Sequence, residues 1–278
     1  MAENQLQAAS KEGDFNRLAA LLTGGAAVNA KDNNGKTALM FAAQYGHVSC
    51  ILALLLQSAA VDAKDNNGVT ALMFAAYYGH AECVAAVAKE AAVDAKGNNG
   101  VTALMIAAGR GRDECVKTLL DAGAAVDARG DNGKTSLMVA AYDGHDKCVA
   151  ALLAKGAAVD AKDNKGSAAL AFAAYDGHAT CITALLNAGA TVDAKDNNGR
   201  TALMVAERRG HDECVAALAS GGQCVVCLDR PATMVYTCGC IATCLVCAEQ
   251  AGEKCPICRT EGAPVRTRYP LTRKAARR

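Results

Sequence analysis

The sequence predicts an all-α solenoid of helix-turn-helix repeats with β-turn fingers, followed by a small zinc-stabilised module. Three observations carry this. A phrase that begins Gly35-Lys36-Thr37-Ala38-Leu39-Met40 and ends Gly46-His47 returns at Gly68–His80, Gly100–Arg112, Gly133–His145, Gly166–His178 and Gly199–His211. Cysteines three residues past each phrase, Cys50, Cys83, Cys115, Cys148, Cys181 and Cys214, are spaced by 33, 32, 33, 33 and 33 residues. A fixed period of this size marks a stacked array. After Gly222 the period stops, and eight cysteines crowd into Cys224–Cys258.

The 278 residues exceed one ordinary domain, which an array without a single core accommodates. Aromatics make up 4% against a hydrophobic content of 52%. The apolar mass is therefore mainly Ala, Leu and Val, suited to short helices in close contact. Residues 1–222 carry 20 Lys and Arg against 24 Asp and Glu, and residues 223–278 carry 9 against 4. The array is mildly acidic and the tail basic. Met1–Gln5 is polar and has no apolar signal core. The longest strongly apolar run, Ile51–Leu56, is far too short to span a membrane. The expectation is a soluble cytoplasmic protein with no membrane partner, where thiols stay reduced and clustered cysteines favour metal over disulfides.

The first unit, residues 4–22, offers Leu6, Ala8 and Ala9 to one short helix and Phe15, Leu18, Leu21 and Leu22 to a second. Gly25 supplies the left-handed residue that ends it. In each later unit Asp32–Gly35 or its counterpart is turn chemistry, and Thr37 caps a first helix. Leu39, Met40, Ala42 and Ala43 form the packed face of that helix. Gly46 breaks the chain, and Cys50, Ile51, Leu54 and Leu55 make one stripe of a second helix. Cys115, Val116, Leu119, Leu120 and Cys148, Val149, Leu152, Leu153 are the equivalent sets. In the fifth phrase Ala168 replaces the capping Thr and Ala171 the Met, so this unit is expected to be the softest. One residue is missing near Lys89–Ala91, which shortens the helix before it.

The period, the turn, the Gly-His pair and the Gly-Ala-x-Val-Asp-Ala return resemble ankyrin repeats over residues 1–222, about seven units whose first and last act as caps. The Thr-Ala-Leu-Met form, in place of Thr-Pro-Leu-His, is similar to the expanded ankyrin families of some protists. Two features invite a sharper reading. His-x-x-Cys recurs at His47/Cys50, His80/Cys83, His145/Cys148, His178/Cys181 and His211/Cys214. No further ligand recurs nearby, so a turn histidine and a small buried thiol is the better reading. The pair before each Gly-His is variable and holds five of the seven tyrosines. By the resemblance these positions look onto the concave recognition face. Tyr45, Tyr77, Tyr78, Arg110, Tyr142, Tyr175 and Arg208 are therefore the candidate substrate-binding residues. Packing of the tyrosines on neighbouring units is the alternative.

The C-terminal stretch runs Cys224-x-x-Cys227, Cys238-x-Cys240, Cys244-x-x-Cys247 and Cys255-x-x-Cys258. Four close pairs supply eight thiolates, enough for two tetrahedral Zn²⁺ ions. A disulfide framework is the alternative reading. The roughly 36 residues are too few for a large core, so metal would provide most of the folding free energy, on the order of 10 kcal/mol per site. The spacing resembles a RING finger, an α+β zinc domain, closest to the type that ends inhibitor-of-apoptosis proteins. The resemblance assigns Cys224, Cys227, Cys244 and Cys247 to one zinc. It assigns Cys238, Cys240, Cys255 and Cys258 to the other. Cys240 stands where that family usually has His, and no His follows His211. Zinc accepts either ligand.

What the resemblance implies is RING-type ubiquitin ligase activity without a covalent intermediate. The array, 1–222, would select a protein substrate, and the RING, 223–260, would recruit a ubiquitin-charged conjugating enzyme. Val226 and Pro256 match apolar contacts to that enzyme, and Arg259 matches a basic clamp on enzyme and ubiquitin. Residues 261–278 would be a short strand plus a basic tail, with Tyr269 at the place of a late aromatic that serves homodimerisation and contacts ubiquitin. The alternative is a non-catalytic scaffold whose zinc module serves folding or dimerisation. The stretch Ala248-Glu249-Gln250-Ala251, where RINGs usually offer Leu or Trp, and Cys240 favour it. Arg273, Lys274, Arg277 and Arg278 form a basic cluster of the kind that guides nuclear import. Lacking interleaved aromatics beyond Tyr269, the tail is a poor nucleic-acid binder.

Overall fold

The structure is a computed structural model that describes residues 2–220 and the backbone of 234–236, 241–243 and 264–266, with side chains from 5 to 220. The chain divides into two compact units: 1–136 with 154–157, and 137–153 with 158–278. Among the described residues, no helix is long and apolar enough to cross a membrane.

The first unit is built from helix pairs. The inner helices are α1 (Ala2–Glu12), α3 (Ala38–Tyr45), α5 (Ala71–Tyr78) and α7 (Ala103–Gly109). The outer helices are α2 (Phe15–Thr23), α4 (Val48–Leu56), α6 (Ala81–Ala88) and α8 (Asp113–Asp121). Each inner helix packs on the next inner helix, each outer helix on the next outer one, and each pair on itself. The second unit repeats the plan with α9 (Ser136–Tyr142), α10 (Asp146–Ala154), α11 (Ala169–Asp176), α12 (Ala179–Asn187), α13 (Ala202–Arg209) and α14 (Asp212–Ala219). Here α11 packs on α13 and α12 on α14. Such helices are too short to be stable alone. Stacking buries them: Leu39, Met40, Ala42 and Ala43 of α3, and Cys50, Ile51 and Leu54 of α4, are all within 1% of full burial. Leu55 and Leu153 are half-buried rather than in the core, while Leu120 is buried. The core stripe of α4 and α10 is thus one residue narrower than the sequence pattern suggests. Phe15 is 47% exposed, because α2 is the first outer helix and its leading side has no neighbour among the described residues. Helix α6 has 8 residues against 9 in α4, in keeping with the missing residue.

Local chemistry sets each boundary. Thr37, Thr70 and Thr102 are extended, and each Oγ1 accepts the backbone N–H three residues on, at 3.3–3.4 Å. Thr201 does the same for α13. Gly46, Gly79, Gly177 and Gly210 end their helices in the left-handed region, which costs glycine nothing.

Long-range polar bonds then tie repeat to repeat. Lys31, Lys64, Lys96 and Lys162 each donate Nζ to a carbonyl 32 or 33 residues later, at 2.7–3.0 Å. Asn29, Asp62, Asp94 and Asp160 each accept a backbone N–H from the following repeat. The fingers join through Asn66 N–H to Asn34 O, Asp131 N–H to Asn99 O and Asn197 N–H to Lys165 O. The repeated Asp-Ala-Lys-Asp-Asn phrase is therefore a ladder between units as well as a turn.

The unit with Ala168 lacks part of this. Ala168 has the extended capping geometry and no side-chain acceptor. A cavity of about 10 Å³ lined by Ala168, Ala171, Thr191 and Ala202 opens beside it, close to the room of one water. Ala168→Thr restores the cap, worth about 1 kcal/mol, and Ala171→Met refills the space at about 1 kcal/mol more. The double variant is expected to raise the urea midpoint of unfolding; an unchanged or lower midpoint would show that this unit does not limit stability.

Beyond residue 220, β1 (Met234–Tyr236), β2 (Ile241–Thr243) and β3 (Pro264–Arg266) form an antiparallel sheet of order β2-β1-β3.

Candidate recognition face and zinc module

The phrase that ends each inner helix also sets what it displays. In α3 the apolar face is spent on Leu39, Met40, Ala42 and Ala43. The left-handed Gly46 stops the helix, leaving Gln44 and Tyr45 on its last, partly exposed turn. The same holds for Tyr77 and Tyr78 of α5. Tyr45, Tyr77, Tyr78 and Tyr175 retain 38–42% exposure.

In the first unit these side chains join one network. Lys36 Nζ donates to Gln44 Oε1 at 3.0 Å and stands 4.4 Å over the Phe74 ring. Gln44 Nε2 donates to the Tyr78 hydroxyl at 3.4 Å. Tyr78 tilts against Tyr77 with centroids 5.0 Å apart and stacks on His80 at 6.5 Å. The Arg110 guanidinium lies 4.2 Å over Tyr77, and Lys11 Nζ lies 5.8 Å over Tyr45. These are cation–π distances.

In the second unit Tyr142 stacks on Tyr175 at 6.1 Å and meets Phe172 edge-on at 6.2 Å. The cation here is Arg209, 3.7 Å over the Tyr175 ring, with its Nε donating to the Tyr175 carbonyl at 3.2 Å. Arg208, the candidate substrate-binding residue from the sequence, is exposed one position earlier on α13. At the end of a helix one residue turns a side chain by about 100°, so neighbouring arginines cannot be told apart without the backbone. The tyrosines pack on neighbouring rings and cations, and Tyr45, Tyr77, Tyr78 and Tyr175 keep part of their surface exposed. Lys11, Lys36 and Phe74 were missed. The signal for Lys36 was present, since Val69 and Val101 stand at its place in the next two fingers.

The His-x-x-Cys pairs serve the stack. His47, His80 and His211 each place Nε2 3.1 Å from a carbonyl oxygen 36 residues earlier, those of Lys11, Gln44 and Tyr175. Arg112 replaces the imidazole by donating Nε to the Tyr77 carbonyl at 3.3 Å. His178 Nε2 is buried 3.4 Å from Asp176 Oδ2 without hydrogen-bond alignment. Each of the six thiols is at most 1% exposed. Burial pushes Cys83, Cys115 and Cys181 up to about 11 and Cys214 up to about 12, with Glu82 and Glu213 adding to it at Cys83 and Cys214. Cys50 is raised for the same reason. These thiols are inert packing groups rather than ligands or nucleophiles.

The eight cysteines from Cys224 to Cys258, together with Val226, Pro256, Arg259 and Tyr269, lie outside the described residues. Of the described backbone in this region, β1 pairs antiparallel with β2. Eight sulfur donors in four close pairs match the donor set of tetrahedral zinc.

A family model described as ankyrin repeats (3 copies) matches residues 6–97, 86–163 and 155–228. A second, described as a zinc finger of C3HC4 type (RING finger), matches residues 220–263. The structure is similar to the crystal structure of the human ASB11 ankyrin repeat domain, with 30% identity and a TM-score of 0.67, over 72% of this chain and 90% of that one. No curated protein matches the chain.

Proposed function

Since the chain belongs to the ankyrin-repeat family and carries a C-terminal RING finger, we propose that it is a RING-type ubiquitin ligase whose array brings the substrate to the zinc module. The observation that carries this reading is the placement of a complete eight-cysteine zinc pattern directly after a recognition row of exposed aromatics and cations. In this reading Zn²⁺ is structural, two ions per chain, held by Cys224, Cys227, Cys244, Cys247 and by Cys238, Cys240, Cys255, Cys258. Val226 and Pro256 touch the conjugating enzyme. Arg259 holds enzyme and ubiquitin in register, so the substrate lysine attacks a positioned bond. Tyr269 supports a homodimer and reaches ubiquitin across it. The protein works in the cytoplasm, and the basic tail extends its range to the nucleus.

Autoubiquitination by the full-length protein across a panel of conjugating enzymes tests this, with zinc content measured alongside. Arg259→Ala is expected to lower transfer about 10- to 100-fold at two zincs per chain. No transfer with any enzyme at full zinc loading would favour the second reading, a non-catalytic scaffold. The helix stretch Ala248–Ala251, poor in large apolar residues, is the feature that supports that alternative.

A further inference from the structure

We propose that the inner-helix row of the first unit recognises an extended acidic segment, with carboxylates about three residues apart, on the protein that the array captures. This rests on the reading of the array as a capture surface and names the chemistry of what it takes.

Three cations bridge three successive seams between inner helices. Lys11 of α1 lies over Tyr45 of α3, Lys36 at the start of α3 over Phe74 of α5, and Arg110 after α7 over Tyr77 of α5. Each cation is held in place by an aromatic face, which leaves its charge unneutralised. None of the three forms an ion pair among the described residues. Helices α3, α5 and α7 contain no carboxylate; in α1, Glu12 beside Lys11 is paired with Arg17 at 3.2 Å, and Glu3 lies eight residues before Lys11. The nearest finger carboxylates are engaged: Asp32 Oδ1 accepts the N–H groups of Asn34 and Lys36, and Asp65 Oδ1 those of Asn67 and Val69. The row is therefore positive although the array as a whole is acidic. The second unit differs. Its inner helices carry Asp176 and Glu207 beside Arg208 and Arg209, so it has no comparable excess.

The spacing sets the ligand. Packed helices lie about 8–10 Å apart. A polyproline-II segment advances about 3.1 Å per residue and returns a side chain to the same face every third residue, so one carboxylate per seam needs one acid every third residue. Bidentate Arg–carboxylate pairing at Arg110 and point-charge contacts at the lysines suit carboxylates. A single-stranded nucleic acid would need open ring faces on which to stack its bases. Here one face each of Tyr45, Phe74 and Tyr77 carries a cation, so the row presents positive charge along with the rings, which favours an acidic peptide.

The test is selection of a random 12-residue peptide library on purified full-length protein, followed by titration of the selected peptides in fluorescence anisotropy. Selected peptides are expected to be rich in Asp and Glu at every third position. Replacing those acids by Asn and Gln, or using the Lys11→Gln/Lys36→Gln/Arg110→Gln protein, should weaken binding at least 10-fold. Lys117→Gln, on the outer helix α8, should leave it unchanged. Selection of neutral peptides that bind equally to the triple variant, yet are lost on Tyr77→Ala, would overturn the acidic preference and leave the capture surface standing. Recovery of no peptide at all would overturn both. Tighter binding of a twelve-nucleotide single strand than of any selected peptide would replace the proposal with nucleic-acid recognition.

Discussion

Between pH 9 and 11 the array is expected to lose stability steeply, because its buried thiols cannot ionise in place. Cys83, Cys115 and Cys181 are held up to about 11 and Cys214 up to about 12 from an ordinary value of 9.0. The folded state thus keeps protons that the unfolded chain gives up. The contribution is complete below pH 9, begins to fall above it, and is lost as pH passes the folded values. At pH 10, one unit above the unfolded value, each thiol has withdrawn about 1.4 kcal/mol. Four together withdraw roughly 6 kcal/mol, comparable to the whole stability of an ordinary domain. Urea unfolding of Cys181→Ala against the parent at pH 7 and pH 10 isolates the effect. The substitution should cost about 1 kcal/mol at pH 7 through lost packing. At pH 10 it should be about 1.4 kcal/mol more favourable than that. Equal cost at both values would mean that Cys181 ionises freely in the folded chain.

Gly46→Ala is expected to cost about 2–4 kcal/mol, far more than an exposed turn substitution. The backbone there has φ +82°, and an added Cβ would lie 2.8 Å from His80 Nδ1. The left-handed conformation alone costs alanine about 1 kcal/mol. The methyl must also displace the imidazole, whose Nε2 meets the Gln44 carbonyl at 3.1 Å, a bond worth about 1 kcal/mol. Gly25→Ala is the control: φ is +80° but nothing lies within 4 Å of the added Cβ. It should cost the backbone part alone. Gly46→Ala/His80→Ala should cost less than the sum of its single variants by about 1 kcal/mol, since the second change removes the clash. Strict additivity in urea titrations would show that glycine and imidazole are not coupled.

Both results turn on residues that recur every 33 or so positions. Their recurrence was legible at once, and so was much of the local chemistry: Thr at the cap, Gly in the left-handed turn, Leu, Met and Ala on one stripe. These depend on neighbours within a turn or two of the chain, so the residue types themselves announce them. The capping gap at Ala168 could be read in the same way, and the structure adds the cavity beside it.

Other features could not be read, because each depends on a partner roughly one repeat away. Nothing in Gly46-His47 says that the imidazole of one repeat will sit on the glycine of the repeat before. Met204 is 53% exposed while Met40 and Met73 are at most 2% exposed. The same residue in the same phrase is core or surface according to whether another inner helix follows it, and α13 is the last inner helix among the described residues. Likewise Arg209 rather than Arg208 covers Tyr175, since helix phase at the last turn decides which neighbour points across the seam. The sequence by itself determined the period, the helix ends and the zinc pattern, because short-range sterics and donor chemistry suffice for these. Only the stacking of one repeat on the next decided which histidines, lysines and aromatics meet, and so where the first unit's positive aromatic row lies.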